Sequence, residues 1–143
     1  MKMKIVFDTN CLLRVLPKNS PYRCLWDAFL HGEFALCYTT EILQEYEEVL
    51  SRFYSPKIAE LVVGTLIKSN NSLQITPDFK WNLITADPDD NKFVDCALNA
   101  GADYLVTNDK HFNILKEIDF PQIKVVDIET FRRIIMYNFN YKF

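Results

Sequence analysis

The chain has 143 residues, 49% of them hydrophobic types and 14% aromatic, which is enough to bury one core and is unlike a disordered chain. The net charge of −3, from 16 basic and 19 acidic residues, excludes a simple basic nucleic-acid coat. It leaves room for an enzyme that meets phosphates through bound cations.

Residues 3–7 (MKIVF) read as a short apolar strand that stops at Asp8. Asn10 to Leu16 predicts one or two helical turns, ended by Pro17. Asn19, Ser20 and Pro21 form a helix start, a capping side chain followed by Pro at the first helical position. That helix is expected to reach about His31 and stop at Gly32. Residues 34–38 (FALCY) form a second buried strand. Thr39 or Thr40 caps the next helix, with apolar Ile42, Leu43, Tyr46, Val49, Leu50 and Phe53 at helical spacing. Ser55 and Pro56 open another helix through about Lys68. Residues 73–76 are a third strand, and 77–92 a polar loop rich in Asp and Pro. A helix runs from about Asp89 to Ala100 and closes at Gly101. Residues 103–106 are a fourth strand, 109–118 a helix, 123–126 a fifth strand and 128–137 a last helix. Strands alternating with helices imply parallel βαβ units, hence an α/β fold, a three-layer α/β/α sandwich around a central parallel sheet. One domain is expected over 1–143. The aromatic tail 137–143 and the hydrophobic helix 58–67 are candidate oligomer surfaces.

Three glycines, at 32, 64 and 101, cannot compose a Gly-rich phosphate cradle. No apolar run approaches the roughly 18 residues of a membrane span, and Asp8 and Asn10 interrupt the start too early for a signal peptide. A cytoplasmic protein is the expectation. Cys11, Cys24, Cys37 and Cys96 form no CxxC pair and read as free, mostly buried thiols.

The chemistry lies in the acids. In open parallel sheets, sites sit beyond the carboxyl ends of the strands. Asp8 follows the first strand and Asp109 follows the fourth, although an Asp there often just caps a helix. Asp90 shares a helix face with apolar Phe93, Val94 and Ala97, so it projects inward. Such a carboxylate is costly unless it is paired, capping or metal-bound. Asp87 and Asp89 read as turn residues. Asp95 reads as facing outward, a reserve ligand. Among Glu41, Glu45, Glu47 and Glu48, periodicity places Glu45 and Glu47 at opposite borders of the apolar stripe and does not choose between them. A carboxylate cluster without nearby His or Cys suits Mg²⁺ or Mn²⁺ and phosphoryl chemistry.

KIVFDTN, TTEILQEYEEVLSR, DPDDNKFVDCALNAGADYLVTNDKHF and IKVVDIETF appear in this order over nearly the whole chain. With these segments the sequence resembles the PIN-domain family of metal-dependent ribonucleases. Within it the chain is most similar to VapC-type toxins of bacterial toxin–antitoxin systems. The resemblance implies catalytic, metal-binding roles for Asp8, Glu45, Asp90 and Asp109, which settles the choice between Glu45 and Glu47. It implies supporting roles for Asn10 and Thr107, and endonucleolytic hydrolysis of RNA to a 5′-phosphate and a 3′-hydroxyl. A small antitoxin and a second copy of the chain are the implied partners. At position 111 many VapC-like chains carry Asp, whereas this one carries His.

RNA-contacting candidates are Arg14, Lys18, Arg52, Lys92 and Lys110, with Tyr22, Trp26, Tyr54 and Trp81 as stacking candidates. Two other readings compete. An inactive PIN-like module that binds RNA or protein is disfavoured by the presence of all four acids. An Asp-based phosphatase or receiver is disfavoured by Asn10 in place of a second Asp, and by Lys124 lying inside a strand.

Overall fold

A computed structural model describes residues 2–84 and 87–139. The strands β1 (Met3–Phe7), β2 (Phe34–Tyr38), β3 (Ser72–Gln74), β4 (Tyr104–Val106) and β5 (Val125–Val126) form one parallel sheet in the order β3-β2-β1-β4-β5. In the central pairings, Ile5 lies opposite Leu36 of β2 and Tyr104 of β4. The chain starts in the middle of the sheet, winds outward to one edge, then returns to fill the other. The switch point of this order falls between β1 and β4, the place where α/β sheets hold ligands.

The helices are α1 (Thr9–Val15), α2 (Arg23–Leu30), α3 (Thr40–Phe53), α4 (Pro56–Lys68), α5 (Asn91–Ala100) and α6 (Ile128–Phe139). Side chains alternate along β1 and β2, so the two faces bury different partners. Phe7 and Phe34 meet Phe131 of α6 edge-on, with centroids 5.8 and 5.3 Å away, and Phe34 also meets Phe29 of α2. On the other face Lys4 reaches the Ala100 carbonyl of α5. There α5 packs on the sheet, with α3 and α4 beside it. The three layers are those expected of the sequence.

Caps stop and start the elements where the sequence places them. Thr39 accepts from the Ile42 amide at 3.1 Å, and Ser55, ahead of Pro56, accepts from Ile58 at 3.1 Å. Gly101 closes α5 at φ 64°, and the Ala102 amide returns to the Ala97 carbonyl.

Several boundaries differ. Helix α2 starts at Arg23, because the Ser20 hydroxyl accepts from Tyr22 only two residues on and closes a turn first. Strand β3 spans Ser72–Gln74 where 73–76 was expected. Pro88–Asp90 winds as a 3₁₀ turn ahead of α5, and Lys110–Glu117 is 3₁₀ rather than α-helical. The fifth strand shrinks to Val125–Val126, since as an edge it pairs only with the short β4.

Cys11, Cys37 and Cys96 are buried free thiols, and Cys24 is partly covered. No helix among the described residues is long and apolar enough to cross a membrane. On the suggested oligomer surfaces, Leu61 and Ile67 of α4 and Tyr137 of α6 are exposed. Residues 140–143 of the aromatic tail lie outside the described residues.

Candidate functional site

Strand β1 ends at Asp8, whose amide continues the sheet to the Val106 carbonyl at 3.1 Å. Its side chain then turns to cap α1, accepting from the Cys11 amide at 2.8 Å. The other carboxylate oxygen accepts from the Thr107 hydroxyl. Burial raises the pKa of Asp8 above its usual value, opposed by the bonds from Thr107 and Cys11 and reinforced by the charge of Asp109.

Thr107 links this acid to the next. Its hydroxyl also accepts from the Asp109 amide at 3.0 Å. Asp109 in turn caps the 3₁₀ segment, taking the His111 amide at 2.9 Å. Asn108 fixes the same loop to the start of α6 by accepting from the Ile128 amide at 3.0 Å. The loop after β4 is therefore held at both sides, and Asp109 is presented beside Asp8.

Asp90 sits where the 3₁₀ turn passes into α5. It makes no side-chain capping bond, so the capping explanation of an inward carboxylate fails here. Its Oδ2 is shut off from solvent without a hydrogen-bond donor. Burial first, then the charges of Asp87 and Asp109, push its pKa up to about 6, against a smaller opposing effect of His111. His111 Nδ1 lies 3.6 Å from Asp90 Oδ2 and 3.5 Å from Asp109 Oδ1.

Glu45 is half-buried on α3, and both of its oxygens are engaged. One accepts from the Thr9 hydroxyl, next to Asp8, and the other meets Lys92 Nζ at 2.6 Å. It thereby joins the chain beside Asp8 to the chain beside Asp90. Glu41, Glu47 and Glu48 are exposed, and Glu48 faces Arg52. Behind these groups, fully buried Tyr46 donates to the Phe7 carbonyl at 2.6 Å and fixes the end of β1.

Asp109 thus lies close enough to act electrostatically on Asp8 on one side and on Asp90 on the other, and Glu45 is tied in through Thr9 and Lys92. The tighter group differs from the expected set. Asp87, Asp90 and His111 each offer a ligand atom, all within 4.8 Å of one another. Asp87 is the turn residue expected from the sequence, its carboxylate accepting from the Asp89 amide at 3.2 Å. The missed signal was its spacing. Three residues make one 3₁₀ turn, so positions 87 and 90 fall on the same side. A negative cluster containing a buried carboxylate oxygen without a donor fits a divalent cation.

Asp95 does not point outward. It is buried, and its carboxylate accepts from the Trp81 amide at 2.9 Å, because the segment ahead of the 3₁₀ turn folds back over α5. Asn10 is exposed and lines a cleft of about 800 Å³ that opens beside Asp8 and Asp109. Arg14, Tyr22 and Tyr54 line it too, and exposed Lys18 lies between the lining residues Pro17 and Asn19. Lys110 is exposed next to Asp109, while Arg52 is exposed on α3 near Glu48. Lys92 is turned inward, its side chain 9% exposed, with Nζ on Glu45 and the Asp89 carbonyl. Trp26 is buried in the core, and Trp81 packs against Phe79 and Phe120.

Residues 4–111 match the family model described as PIN domain. No curated protein matches the chain. Among solved structures, VapBC2 from Rickettsia felis bound to a DNA fragment from the promoter is similar at TM-score 0.59 and 17% identity. That match covers 87% of this chain and 98% of the other. DNA-bound VapBC from Salmonella typhimurium is similar at TM-score 0.56 and 21% identity, with 88% and 98% covered. FitAB bound to an IR36 DNA fragment gives 0.55 and 12%, with 87% and 94% covered. At these identities the likeness is one of fold.

Proposed function

Because the chain belongs to the PIN-domain family, we propose that it is a metal-dependent endoribonuclease, the toxin of a toxin–antitoxin pair, acting in the cytoplasm. The observation that carries this reading is that Asp109, beside Asp8 at the switch point of the sheet, also acts on Asp90, one of whose oxygens is buried without a hydrogen-bond donor. The similar folds in VapBC and FitAB complexes support the pairing with an antitoxin.

Asp8, Asp90 and Asp109 would hold Mg²⁺ or Mn²⁺, with Glu45 at the border of the site. Bound there, such an ion would supply Lewis-acid chemistry for hydrolysis of a phosphodiester. The protein positions the groups. Thr107 and the Cys11 amide orient the Asp8 carboxylate, the His111 amide orients Asp109, and Tyr46 fixes the strand end behind them. The cleft beside Asp8 receives the RNA strand. Arg14, Lys18 and Lys110 meet phosphates, and Tyr22 and Tyr54 offer rings for stacking. Lys92 keeps Glu45 neutralised from within, so its part is to hold the acid rather than the RNA. The antitoxin is a small partner whose segment covers this cleft, and the chain works as a homodimer.

The test is cleavage of a mixed RNA pool by purified protein, in Mn²⁺ or Mg²⁺ against EDTA, beside Asp8→Asn. Cleavage only with metal, lost in the variant and leaving 5′-phosphate ends, is expected. Equal cleavage by both proteins, or cyclic phosphate products made in EDTA, would overturn the proposal.

A further inference from the structure

The four-acid reading leaves Asp87 and His111 unused, yet both meet at Asp90. Three backbone features bring this group together. Asp87 caps the 3₁₀ turn, Asp90 ends it, and His111 opens the segment that follows β4. Each offers one ligand atom within 4.8 Å of the other two.

The spacing is that of ligands and not of a hydrogen-bonded pair. His111 Nδ1 stands 3.6 Å from Asp90 Oδ2, beyond the usual N–H···O range. Two atoms bonded at about 2.0–2.2 Å to one ion lie roughly 3–3.5 Å apart, so the His111–Asp90 pair is already near ligand spacing, and the 4.8 Å group closes around an ion when one binds. Oδ2 has no hydrogen-bond donor, so it is available to a cation. The backbone that carries the imidazole is fixed, because the His111 amide is bonded to Asp109 Oδ1 at 2.9 Å. With its side chain 47% exposed, the ring reaches the site from the solvent side.

An imidazole changes which ion such a site prefers. Mg²⁺ takes oxygen ligands and keeps its waters, whereas Mn²⁺, Co²⁺ and Zn²⁺ accept nitrogen beside carboxylates. We infer that Asp87, Asp90 and His111 form a mixed nitrogen–oxygen metal centre, in which the His111 imidazole turns the preference from Mg²⁺ toward first-row transition ions. This deepens the metal-dependent reading above and rests on it.

The experiment is titration of the full chain with Co²⁺ and with Mg²⁺, by calorimetry and by the visible absorption of bound Co²⁺. Wild type, His111→Ala and Asp87→Asn are compared, with circular dichroism confirming the fold of each. Wild type is expected to bind Co²⁺ at least tenfold more tightly than Mg²⁺. His111→Ala should lose about tenfold or more in Co²⁺ affinity, change its Co²⁺ spectrum, and keep its Mg²⁺ affinity within about twofold. Asp87→Asn should weaken both ions. A Co²⁺-to-Mg²⁺ ratio and a spectrum untouched by His111→Ala would overturn this inference and leave the nuclease proposal standing. No binding of either ion to wild type would remove both.

Discussion

Replacing Asp90 with asparagine should make the metal-free protein more stable. In the folded chain the Asp90 pKa is pushed from 3.8 to about 6, chiefly by burial and by the neighbouring Asp87 and Asp109 charges. The folded state therefore holds this proton more tightly than the unfolded one. Below about pH 4 both states are protonated and Asp90 is neutral in its effect. As pH rises through the interval from 4 to 6, the unfolded chain ionises first and stability falls; above 6 the full penalty is in force. At 1.36 kcal/mol per tenfold, the interval from 3.8 to about 6 sets an upper limit of about 3 kcal/mol. The side chain keeps 16% exposure, and relaxation and water contact reduce the effect, so about 1–2 kcal/mol is expected. For a chain of 143 residues that raises the melting temperature by roughly 3–7 °C. The assay is thermal unfolding of wild type and Asp90→Asn in EDTA at pH 7.5 and pH 4. The variant should melt higher at pH 7.5, and the gap should close at pH 4. Saturating Mn²⁺ should narrow or reverse the order, since at about 100 times Kd a ligand adds about 2.7 kcal/mol to the protein that binds it. A variant melting at or below wild type at pH 7.5 in EDTA would refute the reasoning.

Lys92→Met keeps the buried stem and removes the ammonium from Glu45, so it should lower stability by about 1–3 kcal/mol. A double-mutant cycle with Glu45→Gln should return a coupling of about 1 kcal/mol or more, and zero coupling would show that the pair is passive. Tyr46→Phe deletes the buried bond to the Phe7 carbonyl and should cost about 1–2 kcal/mol. Its urea midpoint should fall at unchanged slope, and an unmoved midpoint would mean that another donor takes the carbonyl.

Much of this protein was legible from local pattern alone. The apolar runs and capping residues located β1, β2, α3 and α4, because strand pleat and helix period are properties of one segment. The alternation of strands and helices determined the parallel sheet, and with it the fact that Asp8 and Asp109 stand at strand ends. Asp90 was marked as inward-facing by the apolar residues sharing its helix face. What periodicity reports is a residue's direction about its own axis, and it is blind to what lies opposite. Glu45 and Glu47 sat on two borders of one stripe; only the packing of α3 beside α1 and α5 turned Glu45 to Thr9 and Lys92 and left Glu47 in solvent. Asp95 read as outward because α5 by itself has a polar side there, and the tertiary fold laid the Trp81 segment over it. Lys92 read as a cation for phosphate, and its neutralisation by Glu45 depends on a residue 47 positions away. The meeting of Asp87 and Asp90 with His111 likewise joins two loops that only the adjacency of β1, β4 and α5 brings within reach. Charge pairing across elements is a matter of distances in space, and those arise only when the chain has folded.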